Sequence, residues 1–216
     1  MAAQQTTIQR PTQRSERTES QRSIRPPASW RRFATRPRAA YTGITMAGPW
    51  SSLRPYALKL LRHEHKVIRR MLKELDHSKT AGQRATRLAR CEAEIVAYSR
   101  NVHEVFYPAF RGAAKKERQR KLYHELREHH REVELLLLDL QRCDPGSMKA
   151  AGCAKALRTA CNTLFRVESK HLFHHARRVL GRTNLKALGR QMQDHRRAFA
   201  RNPNMAPMRS AKAAFT

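Results

Sequence analysis

The sequence predicts an all-α protein, an up-down-up-down four-helix bundle followed by a short fifth helix and preceded by a disordered basic tail. Three observations predict it. Apolar residues recur at alternating spacings of three and four across four long stretches after residue 52, which is the period of an amphipathic helix. Short turn signals separate those stretches, so neighbouring helices are expected to run antiparallel. No alternating strand pattern competes.

Residues 1–51 contain no Leu and are rich in Gln, Arg, Ser, Thr and Pro. Too little apolar surface is on offer there to offset chain entropy, so this segment reads as disordered. The first helix follows, with Leu58, Leu61, His65, Ile68, Leu72 and Leu75 on one face. Pro55 stands near its start, where proline is tolerated. The second is expected over about 83–110, with Leu88, Cys91, Ile95, Tyr98, Val102 and Val105 inward and Pro108 and Gly112 at its end. The third spans about 115–142, with Tyr123, Leu126, His130, Val133, Leu137 and Leu140 inward, and closes on the turn Asp144-Pro145-Gly146. The fourth runs over about 147–180, with Leu157, Cys161, Leu164, Glu168, His171 and His175 on one face and Gly181 as its stop. Leu185, Leu188, Met192 and Phe199 make the fifth, about 184–198, amphipathic. The organisation is a tail over 1–51, a bundle over 52–182, and a short helix with a frayed end over 183–216.

A weak repeat links the first and third helices. Setting His65 on His130 places Ile68 on Val133, Leu72 on Leu137 and Leu75 on Leu140. Each helix thus carries one inward histidine at an equivalent place.

The net charge is +28, from 45 Lys and Arg against 17 Asp and Glu. Nine Arg and two Glu lie in the first fifty residues, so most of the excess is elsewhere. Charge of this size attracts polyanions on electrostatics alone. In the tail, Arg31, Arg32, Arg36 and Arg38 flank Trp30 and Phe33, a mixture able to stack on and neutralise a nucleic acid. No helix-turn-helix, RNA-binding sheet or zinc-finger spacing is present. No apolar run approaches the length of a membrane span, and a cytoplasmic location is expected. The four cysteines form no CxxC pair; Cys91 and Cys161 fall on apolar faces and read as core residues.

Eleven histidines are present. Four of them, His65, His130, His171 and His175, fall on the inward stripes of three helices. His171 and His175 are one turn apart, a spacing that chelates one metal ion when facing helices complete the shell. Buried imidazoles without partners cost roughly 1–3 kcal/mol each, which favours a shared polar centre. Tyr98 and Glu168 stand near it as further ligands, with His103 and Glu104 as alternates on the second helix. A nitrogen-rich shell suits one Zn, Fe, Cu, Ni or Co ion better than Mg or Ca. The competing reading is a metal-free pocket whose histidines hydrogen-bond Tyr98 and Glu168. No nucleophile–base pair, phosphate-binding glycine loop or pair of catalytic carboxylates points to an enzyme.

With these residues in place, the chain resembles the hemerythrin-like (HHE) cation-binding family. The resemblance rests on Glu64-His65 ahead of VIRRMLKEL, on Glu104-Val105-Phe106-Tyr107-Pro108, on Glu128-His129-His130, on His171-x-x-x-His175 and on NLKALGRQM from Asn184. It covers about residues 52–195. It implies a four-helix bundle holding an oxo-bridged di-iron centre, with iron, oxygen or nitric oxide as ligands. The chain departs from the pattern at the bridging positions. Tyr98 and Val102 stand where the family has a histidine and a carboxylate, and His175 stands where it has a second carboxylate. A single iron or other transition-metal ion is therefore expected, in a metal-binding or sensing bundle. The alternative is a metal-free bundle acting as a basic, nucleic-acid-associated protein.

Overall fold

A computed structural model describes residues 56–201, and all of its regular structure is helical. Six helices follow one another: α1 (Ala57–Asp76), α2 (Ala81–Asn101), α3 (Tyr107–Ala113), α4 (Glu117–Arg142), α5 (Met148–Val167) and α6 (Phe173–Arg201). Two π turns, Val102–Phe106 and Glu168–Leu172, join α2 to α3 and α5 to α6 without a loop. The described residues therefore form four long helical segments, the last of them broken at Gly181.

The ends are set locally. Thr80 caps α2 by accepting the Gln83 amide at 3.2 Å, and the Gln83 side chain returns the bond to the Lys79 amide at 3.1 Å. Ser147 caps α5 by accepting the Ala150 amide at 3.1 Å, on the exit of the Asp144-Pro145-Gly146 turn. The Arg84 guanidinium donates to the Pro145 carbonyl and ties the start of α2 to that turn.

The first π turn has a local cause. Pro108 offers no amide hydrogen and its ring crowds the carbonyl four residues back. The wider turn accommodates this, and the Tyr107 amide bonds to the Val102 carbonyl instead. The second contains no proline. It inserts one residue into the helical register, so that Leu172, Phe173, Ala176 and Leu180 are buried after Glu168.

The apolar stripes of α1 and α4 meet in one core with Tyr98, Phe106, Phe110, Phe165 and Phe173. Side-chain pairs fix the relation of α1 to α5 and α6: Arg158 meets Asp76 at 2.7 Å, Arg69 Nε donates to Asn162 at 3.1 Å, and His65 stacks between Phe165 and Phe173. Numbers fall on one side as they rise on the other, so the two run antiparallel. From Cys91 to His103 every residue of the second segment is buried. That follows from cover on several sides, because α1 and α6 both pack against α2.

α6 breaks at Gly181, whose φ of 70° and ψ of 173° lie in a region open only to glycine. The helix resumes beyond it. Its second part buries Leu185, Leu188, Met192 and Phe199, and brings His195 and Arg196 against α1, α2 and the first π turn. Among the described residues no helix is long and apolar enough to cross a membrane.

A carboxylate bridge between two histidine–tyrosine pairs

Glu168 lies fully buried at the centre of the core. Two imidazoles and two phenols converge on its carboxylate in two matching groups. On one side the His65 imidazole donates through Nε2 to Oε2 at 2.8 Å, the Tyr98 hydroxyl donates to the same oxygen, and His65 Nε2 lies 3.3 Å from that hydroxyl. On the other side the Tyr107 hydroxyl donates to Oε1 at 2.8 Å. His130 Nε2 lies 3.1 Å from the Tyr107 hydroxyl and 3.7 Å from Oε1. The equivalence of His65 and His130 in the α1/α4 repeat thus reappears as a pseudosymmetric pair about one carboxylate.

The electrostatics follow from burial and charge. Burial pushes the Glu168 carboxyl up, but hydrogen bonds and positive charge from His130 and His65 outweigh it and hold the group well below the usual carboxylate range. It is therefore ionised. Burial, reinforced by that negative charge, raises both Tyr98 and Tyr107 well above an ordinary phenol, which keeps them protonated donors. The Ser169 hydroxyl lies 3.5 Å from His65 Nδ1, leaving Nε2 to face Glu168. The buried Nδ1 of His130 has no hydrogen-bond partner among the described residues.

The expected constellation is only partly assembled. His65, His130, Tyr98 and Glu168 come together. His171 does not: it is exposed, and His175 is half-buried at the surface beside His174. The reason is the second π turn. Its extra residue turns the chain beyond Glu168 by about 100°, so Leu172 and Phe173 take the interior in place of His171.

His103 is buried near the centre, its ring 4.5 Å from that of His130, and burial lowers its basicity so that it is neutral. Glu104 faces away, accepting from Arg100 Nε at 2.8 Å and from His195 Nε2 at 2.9 Å. Arg31, Arg32, Trp30 and Arg36 lie outside the described residues.

A second buried polar group adjoins the first. Arg196 reaches from α6 to Glu64 Oε1 at 3.0 Å and also donates to Glu94. Burial is the largest influence on Glu64 and pushes its carboxyl up to about 8, against the pull of Arg196. One guanidinium cannot neutralise two buried carboxylates, so Glu64 holds its proton near neutral pH.

Tyr107, Glu94, His195 and Arg196 were not expected at these sites. His195 was within reach of periodicity, since it continues the stripe of Leu188 and Met192 toward Phe199.

Among the described residues, His, Cys, Asp and Glu side chains by themselves form no set of three placed to hold a metal ion. The donors that complete each side of Glu168 are the two tyrosines. Set against family models, curated proteins and solved structures, the chain gives no significant match.

Proposed function

We propose that the chain is a metal-binding bundle of hemerythrin-like build, an up-down-up-down four-helix bundle whose metal site is the Glu168 layer. The observation that carries the reading is the bridging arrangement of Glu168, each of whose oxygens is grouped with one imidazole and one phenol. Donor chemistry supports it. Imidazole, phenolate and carboxylate together suit a ferric or similar transition-metal ion, and they are poorly matched to Mg or Ca. The buried Nδ1 of His130, without a partner, is a further nitrogen in the same layer.

Here the site residues are His65, Tyr98, His130, Tyr107 and Glu168, in place of a histidine quartet. A bound ferric ion would supply a Lewis acid and a coloured tyrosinate chromophore. The chain's own residues prepare for it by holding Glu168 ionised and by fixing both imidazoles. They also oppose it, because both phenols must lose protons that burial and Glu168 hold in place. Uptake is therefore expected to release protons and to strengthen as pH rises.

Iron reconstitution tests the proposal. Purified full-length protein is loaded with ferrous iron without oxygen, exposed to air, desalted and assayed for metal and visible absorption. Retained stoichiometric iron with a visible tyrosinate band is expected. Tyr98→Phe should lose or shift the band while its circular dichroism stays helical. Protein that retains no iron, zinc, copper, nickel or cobalt after such treatment overturns the reading.

A further inference from the structure

The Glu168 layer leaves the positive charge of the surface unexplained. Its distribution over the helices is uneven. Between Asp144 and Asp194 the only acidic residue is Glu168, which is buried. The exposed charge of α5 and of most of α6 is consequently all basic. α1 behaves alike on its outer face: its acidic residues before Glu74 reduce to Glu64, also buried. By contrast α4 carries six acidic and six basic residues. A composition bias toward Arg would raise every helix, so bias alone does not account for an evenly balanced α4.

The basic helices lie side by side. Arg62 sits over the Phe173 ring at 5.3 Å, and Arg69 covers Phe165 at 5.3 Å while bonding to Asn162. These contacts bring one row on α1, namely Arg62, Lys66, Arg69 and Lys73, beside Arg166 of α5, Lys170 of the second π turn and Arg177 of α6. Arg62, Lys66, Lys73, Arg166, Lys170 and Arg177 are exposed and Arg69 is half-buried. Spacings of four, three and four keep the α1 row on one helix face. It extends about 16 Å, which matches the axial rise of about five phosphates along one strand of a duplex.

From this seam between α1 and the α5–α6 segment we infer a binding surface for the phosphate backbone of double-stranded nucleic acid. The absence of other contact chemistry selects that partner. The large hydrophobic side chains exposed among the described residues are Leu135 and Met148, and neither lies on the seam. A lipid surface is held by inserted apolar residues as well as charge. A single strand is held by bases stacked on exposed aromatic rings. The phenylalanines here are buried beneath their arginines. Rigid rows of cations without either suit a duplex backbone, read without regard to sequence.

Two variants of the full chain that lose the same charge test this. Lys66, Lys73, Lys170 and Arg177 become Gln in the seam variant; Lys115, Lys116, Lys121 and Arg131 become Gln in the control. Each is titrated by fluorescence anisotropy against a labelled 20-base-pair duplex over a salt series, with circular dichroism to verify the fold. Wild type should bind more tightly as salt falls. The seam variant should lose at least tenfold in affinity near 0.1 M salt, and its log–log salt slope should shrink by about three. The control should lose less than threefold. Equal losses in the two variants overturn the proposal, because binding then follows net charge or another segment. So does wild type that ignores the duplex, including one that instead binds vesicles of phosphatidylglycerol.

Discussion

A single carboxylate organises the buried chemistry, and the residues around it differ in how far they could be read from sequence. His65, His130, Tyr98 and Glu168 each fall on an uninterrupted apolar stripe, so spacing alone brings them inward. Tyr107 lies beyond the first π turn, where a straight-helix count no longer holds. Arg196 was hidden for another reason: an arginine between apolar positions ordinarily signals solvent, and only tertiary contact with Glu64 and Glu94 shows it buried. That cluster makes a pH prediction of definite sign. The carboxyl of Glu64 is raised in the folded protein from an ordinary 4.5 to about 8, with burial as the main cause. The folded state therefore holds this proton more tightly than the unfolded chain. Its contribution to stability is complete below the unfolded value and is lost as pH climbs through about 8. Glu64→Gln keeps the shape of the protonated side chain and cannot ionise. Urea denaturation should find the variant close to wild type at pH 4 and more stable by about 1–3 kcal/mol at pH 9. A variant less stable than wild type at pH 9 would mean that the ionised Glu64–Arg196 pair is the stabilising form.

At the scale of helices, each long segment was legible from its apolar period, and the two π turns were not. The first has a visible sequence cause in Pro108. The second has none nearby; it is favoured by what it buries. With a regular helix through Glu168–Leu172, His171 and His175 would follow Glu168 into the core. With one residue inserted, Leu172, Phe173 and Ala176 do so, while the imidazoles keep their water. The expected histidine quartet failed at this step, through a rotation of about 100° that no local motif announces. Deleting Lys170, an exposed residue inside the turn, removes the inserted residue and tests the account. Leu172, Phe173 and Ala176 then stand three, four and seven residues after Glu168, the spacing at which a regular helix keeps them inward and leaves His171 outside. The thermal midpoint should fall by less than about 5 °C, whereas deleting Lys155, exposed in the regular part of α5, should lower it by at least about 10 °C, because it rotates one side of that helix by about 100°. Equal losses for the two deletions would show that the register beyond Glu168 is not held by one residue inserted at the π turn.

For the molecule as a whole, the excess of cations was plain from composition, whereas its arrangement needed the packing. A helical reading gives each helix its own basic face but not which faces adjoin. The contacts of Arg62 with Phe173 and of Arg69 with Phe165 and Asn162 place two such faces together. Folding therefore concentrates like charges that the unfolded chain keeps further apart, and the compact state carries more of the repulsion. Salt acts on this directly. The screening length is about 30 Å at 0.01 M ionic strength, longer than the seam, and about 8 Å at 0.15 M, shorter than it. Raising sodium chloride between those values should thus relieve repulsion along the whole row while leaving the buried pairs at Glu168 and Arg196 nearly untouched. The thermal midpoint is expected to rise by about 3–8 °C, and by less than half as much in the seam variant. Calorimetry at constant pH measures both. A midpoint that is flat or falls with added salt would show that the surface cations are locally balanced, and would remove the strain that an anionic partner is proposed to relieve.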